Sequence, residues 1–303
     1  MTRPANRTMF LPLVALLALV LWLNGCVLDQ KGMVLMIDTS YHPTMLDSTH
    51  NGFTQPDGLL WRQGKLLLAD EGGSAVRVWS DAHHVRTLCD SKLGILEPED
   101  LVADGEGNVF FTDDAAGGLW EIDRNGRSFQ LAGKDKGLIS TEGIVLAPSG
   151  DILVGDGEQH QVYRVSRSGN VSVFLGTRYG INKAESMVFD DRGNLYIADN
   201  HDQVVYLLTP QMKLQRVLEN RTGFSPETIW YADHTLYITD SKNGKLSRYT
   251  PENGLQNIAV FGGKLSYVCG ITTDDHSNIY VSIQSSFDPK IGYLIKLEHT
   301  PAS

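Results

Sequence analysis

One spacing limits what this chain can fold into more than any other feature. Six short segments, QPDGLLW at 55, EPEDLVA at 97, STEGIVL at 140, KAESMVF at 183, SPETIWY at 225 and YVCGITT at 267, align on their third residues, Asp57, Glu99, Glu142, Glu185, Glu227 and Cys269. Successive separations are 42, 43, 43, 42 and 42 residues. A period this even means one supersecondary unit repeated six times, each copy burying its apolar faces only against its neighbours.

Each unit carries the same local pattern. A polar turn such as DGEGN at 104, PSGD at 148 or DDRGN at 190 follows the first segment. Its Gly and Asp residues supply the left-handed positions that tight hairpins need. A second apolar run follows (LLLAD, VFFTD, ILVGD, LYIAD, LYITD, IYVSI), then an alternating third and a less regular fourth. Alternation and β-branched or aromatic residues predict strands throughout, with no long helical period after residue 26. Four antiparallel strands per unit and six units predict an all-β, six-bladed β-propeller over 53–303. A seventh unit would have to begin near residue 15, in an unrelated apolar stretch. The last unit lacks a fourth strand at its own C-terminal end, and MVLMID at 33–38 is the expected donor. An N-terminal strand would then close the ring, with the rest of 27–52 as linker.

Residues 1–26 differ in kind. Arg3 and Arg7 precede MFLPLVALLALVLWL at 9–23, which is short for a membrane span and suits a secretory signal. LNGC at 23–26 resembles the lipobox of bacterial lipoproteins, and the resemblance implies lipidation at Cys26. The expected location is the cell envelope, lipid-anchored to the membrane and facing the periplasm or the exterior. Cys89 and Cys269 are too few for a disulfide framework and are expected as free thiols. A net charge of −10 without any run of Lys or Arg argues against a nucleic-acid partner.

The acids have an order of their own. A propeller's first strand lies against the central channel, and the loops before it and after the second strand open on one face. Asp57, Glu99, Glu142, Glu185 and Glu227 should therefore meet there. Each is paired with the Asp that ends the next strand: Asp70, Asp113, Asp156, Asp199 and Asp240. Glu71, Asp114, Glu158 and Asp202 add further charge. At an assumed separation of about 7 Å and an effective dielectric of about 20, each pair of first-strand acids repels by roughly 2 kcal/mol. Protonation, backbone N–H groups or a bound cation could relieve this, and a hard divalent cation such as calcium suits several carboxylate oxygens. Lys183 is the one basic residue within two positions of any of these acids.

The expected metal ligands are Asp57, Glu142, Glu185 and Glu227. Glu99, Asp113, Asp156, Asp199 and Asp240 stand as further ligand-binding candidates, although an Asp at the end of a second strand is more often tied to local backbone. His160 and His201 read as bystanders on the acidic face, and Cys269 faces the channel without a clear base. Trp61, Trp79, Trp120 and Trp230 read as packing. The longer segment SIQSSFDPKIG at 282–292 is a candidate lid. No G-x-S-x-G, P-loop, G-x-G-x-x-G or D-x-D-x-D-G pattern occurs.

The units resemble the NHL repeat and, equally, the senescence marker protein/gluconolactonase group of six-bladed propellers. The latter resemblance implies a divalent metal held by residues that open first strands, Asp57 and Glu227 preserving acids of that group and Glu185 replacing an amide. It implies hydrolysis of a small lactone or ester, with Glu227 as the candidate general base. The NHL resemblance implies the alternative, a non-catalytic propeller that binds a protein, peptide or cationic ligand on its acidic face.

Overall fold

In the computed structural model, residues 27–28, 33–48, 51–81, 84–219, 223–265, 267–285, 288 and 290–300 are described. The segment expected to be a secretory signal, residues 1–26 with Cys26, lies outside them. Among the described residues no helix is long and apolar enough to cross a membrane.

The chain begins with β1 (Val27–Leu28), β2 (Val34–Met36) and β3 (Tyr41–Ser48), and then builds blades in order. Blade 1 is β4 to β7 (Pro56–Arg62, Lys65–Asp70, Ala75–Asp81, His84–Asp90). Blade 2 is β8 to β11 (Pro98–Ala103, Val109–Asp113, Gly118–Ile122, Ser128–Ala132). Blade 3 is β12 to β15 (Thr141–Leu146, Ile152–Asp156, Gln161–Val165, Val171–Leu175). Blade 4 is β16 to β19 (Ser186–Phe189, Leu195–Asp199, Val204–Leu208, Leu214–Leu218). Blade 5 is β20 to β23 (Pro226–Ala232, Thr235–Asp240, Lys245–Thr250, Gly254–Phe261). Blade 6 takes β24 to β26 (Tyr267–Thr273, Ile279–Gln284, Gly292–His299). All neighbouring strands within a blade pair antiparallel.

The fourth strand of blade 6 is β3, paired with β26 from Tyr41 against His299 to Ser48 against Tyr293. This corrects the expectation for 33–38. Of that stretch, β2 pairs instead with β23 and widens blade 5. Periodicity showed only that a strand was missing. The run at 33–38 is more apolar than YHPTMLDS at 41–48, but an outermost strand is only partly buried and needs little apolar content.

Second strands explain the packing. They are buried along nearly their whole length, which is why they read as continuous apolar runs. Six apolar clusters result, one in each seam between adjacent blades, including a cluster of Phe53, Leu59, Leu66, Trp79, Tyr280 and Leu294 between blades 6 and 1. The four tryptophans among the described residues lie in these seams. Trp61 stacks on Tyr280 at 4.8 Å, Trp79 donates to Asp47 at 2.8 Å, Trp120 stacks on Phe111, and Trp230 donates to Thr273 at 3.0 Å.

Five of the six innermost strands carry a β-bulge at one register, the acid and the residue after it, or Cys269 and Gly270, facing a single residue of the second strand. Bulges re-aim side chains. Here they turn the acids toward the axis while the blades close up behind. Gly270 shows how tightly: a Cβ there would overlap the carbonyl oxygen of Asp57 in the next blade. Gly270→Ala is expected to lower stability by about 2–3 kcal/mol, as overpacking does. Gly105→Ala, where a Cβ meets open space, should stay within about 0.5 kcal/mol. Urea midpoints of the two variants check this, and equal midpoints would refute it.

Candidate functional site

The seam chemistry sets the position of the acids. In blades 2, 5 and 6 a hydroxyl on the second strand reaches the carbonyl of the bulge residue in the next blade: Thr112 to Glu142, Thr239 to Cys269 at 2.7 Å, and Ser282 to Asp57. Blades 1, 3 and 4 have Ala69, Gly155 and Ala198 at that register. Gly155 brings its strand so close that a Cβ would overlap the Ala184 carbonyl.

The result is a cavity of about 200 Å³ at one end of the channel, lined by Asp57, Glu71, Glu97, Glu99, Asp114, Glu142, Lys183, Glu185, Glu227, Tyr267 and Gln284. All five first-strand acids are in it. Glu71 and Asp114, from loops after second strands, join them. So does Glu97, which sequence reasoning passed over although it lies two residues before Glu99, in the loop entering β8. Gln284 and Tyr267 carry no charge, and no pattern in the sequence marked them. Gln284 donates to Glu71 at 2.8 Å and to Asp57 at 3.2 Å. Gln284 is the third residue of the 282–292 stretch expected to act as a lid, of which residues 286, 287 and 289 lie outside the described residues.

The second-strand Asp residues do something else. None of them lines the cavity. Asp113 accepts from the backbone N–H groups of Leu96, Glu97 and Ala116 at 2.9–3.1 Å. Asp156 accepts from Ile139 and Gln159, Asp199 from Asn182 and Asp202, Asp240 from Ser225 and Asn243, and Asp70 from Thr54 and Gln55. Asp113, Asp156, Asp199 and Asp240 tie the loop entering the blade to the loop leaving the second strand, while Asp70 ties its entering loop to Arg77 on the third strand. Asp113, Asp156, Asp199 and Asp240, expected among the ligand-binding residues, thus stand outside the cavity with oxygens that accept local donors, while one oxygen of Asp199 also lies within 4.8 Å of ligand atoms of His201 and Asp202.

Within the cavity charge is crowded. Burial, then Glu227 and Glu71, push Asp57 well above the usual carboxylate range. Burial, then Asp57 and Glu142, do the same to Glu99. Burial, then Glu227 and Glu142, raise Glu185 in spite of Lys183. Glu142 is pushed up to about 7 by burial, with Lys183 pulling it back. Lys183 Nζ lies 3.0 Å from Glu142 Oε1 and 3.0 Å from Glu185 Oε2. Burial alone would lower its pKa, but Glu185 and Glu142 outweigh that and hold the ammonium charged. Even so, Glu185 Oε2 is buried without a well-aligned hydrogen bond. One ammonium does not satisfy the cavity.

A second grouping lies beside this ion pair. One oxygen each of Glu99, Asp114 and Glu142 lie within 4.8 Å of one another, close enough to ligate one ion. Of the four expected metal ligands only Glu142 belongs to this trio. Glu185 faces Lys183, while Asp57 and Glu227 line the same cavity. Glu227 accepts from the Asn200 amide at 3.4 Å.

The remaining candidates stay apart from the cavity lining. His160 bonds the Asn182 carbonyl, and His201 pairs with Asp202. Cys269 is fully buried, and burial, then Asp57 and Glu227, hold its thiol well above its ordinary value. That is the wrong direction for a nucleophile. Cys89 is also a free buried thiol.

Fold and site together define a six-bladed β-propeller with a carboxylate-lined axial cavity. No protein-family model and no curated protein matches the sequence. Solved structures do resemble it. A gluconolactonase from Xanthomonas campestris superposes with TM-score 0.67 at 15% identity, covering 88% of this chain and 89% of that one. The calcium-binding protein regucalcin from Agrobacterium tumefaciens gives TM-score 0.63 at 12% identity, with coverages of 82% and 90%. Virginiamycin B lyase from Staphylococcus aureus gives TM-score 0.63 at 15% identity, with coverages of 86% and 88%. At these identities the likeness is one of fold.

Proposed function

We propose that this protein is an envelope-anchored propeller that binds a divalent cation, calcium foremost, in its axial cavity and hydrolyses a small lactone or ester there. The observation that carries this reading is the convergence of carboxylates from five blades on one small cavity that contains a single ammonium. Glu99, Asp114 and Glu142 would hold the cation, with Asp57 and Glu227 as further oxygen donors. When bound, a divalent ion polarises an ester carbonyl and makes a water easier to ionise.

The chain's own groups supply the rest. Glu227, steadied by Asn200, is the candidate to take the proton of the attacking water. Tyr267 is 36% exposed at the cavity and keeps its proton, because burial, then Glu227, push its pKa up. It can donate a hydrogen bond to a substrate oxygen. Gln284 holds Asp57 and Glu71 in place. The gluconolactonase and calcium-binding neighbours support the reading through their shared architecture.

Metal analysis and melting curves test it. The purified protein should hold a near-stoichiometric divalent ion. Calcium at about 100 times its Kd should stabilise by about 2.7 kcal/mol over chelated protein. Glu99→Gln with Glu142→Gln should abolish that shift, and lactone turnover should stop with chelator. Absence of both the shift and chelator-sensitive turnover would end the reading.

Non-catalytic binding of a cationic ligand is the second reading. Lys183 favours it, since an alkylammonium already sits between two of the carboxylates. A calcium shift without turnover on any lactone or ester would select it. Anchoring rests on the N-terminal sequence, and Cys26→Ser should release the protein from the membrane fraction.

A further inference from the structure

The opposite end of the channel differs in chemistry. There the innermost strands of all six blades line a second cavity of about 260 Å³. Its walls are apolar, with Leu60, Val102, Leu146, Val188, Phe189 and Trp230 among them. One ionisable side chain lines it, Asp100, and Thr228 is the one other polar side chain.

Asp100 is not required by the fold at its position. It follows the bulge acid Glu99, and the other five blades have Gly58, Gly143, Ser186, Thr228 and Gly270 at that register. Its carboxyl accepts the backbone N–H groups of Leu101, at 2.8 Å, and Ile144. No basic side chain lines the cavity. A carboxylate facing apolar walls with no cation nearby is costly unless something positive joins it.

We propose that this apolar chamber is a second binding site, separate from the acidic cavity, and that it takes a small organic ammonium whose hydrocarbon body fills the chamber and whose charged nitrogen pairs with Asp100. A bare metal ion fits poorly. Hard cations need six or more oxygen ligands, and the side chains here offer only Asp100 and Thr228. A neutral hydrocarbon would leave Asp100 without a counter-charge. An alkyl- or arylalkylammonium satisfies both parts. At organic packing density the space holds about ten non-hydrogen atoms, the size of a phenylethylamine. Trp230 suits the same guest, because an indole face attracts ammonium groups, and its Nε1 bond to Thr273 fixes the ring.

The test uses three probes on the purified full chain at pH 8, followed by calorimetry and by tryptophan fluorescence. 2-Phenylethylamine carries both features, 2-phenylethanol only the apolar body, and methylammonium only the charge. The amine should bind at least tenfold more tightly than either of the others. Asp100→Asn should bring that preference over the alcohol below threefold. Val188→Trp, which fills the chamber, should abolish binding of both aromatic probes. Glu227→Gln, in the acidic cavity, should leave amine binding unchanged. Equal affinity for amine and alcohol would overturn the proposal. So would amine binding that survives Val188→Trp, or that falls as far in Glu227→Gln as in Asp100→Asn. Should Asp100→Asn fail to fold, the contrast between Val188→Trp and Glu227→Gln decides the matter.

Discussion

Lys183→Met is expected to cost this protein about 2–3 kcal/mol at pH 8 and far less at pH 5.5. The substitution keeps the side chain's length and removes only the ammonium between Glu142 and Glu185. Breaking a fully buried ion pair typically costs 3–5 kcal/mol; the smaller figure of about 2–3 kcal/mol allows for the third of the Lys183 side chain that remains exposed. The pH dependence follows from the direction of the shifts. Glu142 titrates near 7 in the folded protein against an ordinary 4.5, so the folded state binds its proton more tightly than the unfolded one. The stability this contributes is complete below about 4.5 and is lost as pH rises through about 7. The difference is worth about 3 kcal/mol for Glu142 alone, as an order of magnitude. Asp57, Glu99 and Glu185 act in the same direction. The wild-type protein in chelator should therefore melt lower at pH 8 than at pH 5.5. Without Lys183 the carboxylates should rise further and the gap should widen. Calcium should then restore more stability to the variant than to the wild type at pH 8. A loss of the same size at both pH values, unaffected by calcium, would contradict the charge-crowding account.

Asp113→Ala is the second large effect, and it should not depend on calcium. The Asp113 carboxylate is fully buried and accepts three backbone N–H groups. Each donor left without a partner costs about 1–3 kcal/mol, less where water can enter the loosened loop. A total of about 3–5 kcal/mol is expected, among the larger effects of single substitutions. The loop it ties carries Glu97 and leads into Glu99, so some weakening of cation binding should follow. The calcium-induced rise in melting temperature should nevertheless persist, because Asp113 does not line the cavity. Asp113→Ala and the paired Gln substitutions at Glu99 and Glu142 thus separate a residue that builds the site from residues that hold its guest. A calcium shift lost completely in Asp113→Ala, with stability otherwise intact, would place that carboxylate in the site after all.

Sequence by itself determined the number of blades, the strand order within each blade and the face on which the acids gather. These follow from a 42- or 43-residue period, from two-residue alternation and from turn residues, all of which are local and repeated six times. It also marked Lys183 as the sole nearby base. Tertiary structure alone decided what each acid does. Asp113 and Glu99 are both acids followed by an Asp, yet one is enclosed by N–H donors and the other lines the cavity. The distinction comes from the bulges, whose position depends on how closely one blade's backbone approaches the next, as at Gly270 and Asp57. The grouping of Glu99, Asp114 and Glu142, the bridge from Lys183 to two glutamates and the apolar chamber under Asp100 likewise join atoms from different blades. The outer strand of blade 6 comes from 41–48 for a related reason: an exposed edge selects its partner by backbone pairing and leaves little trace in side-chain composition.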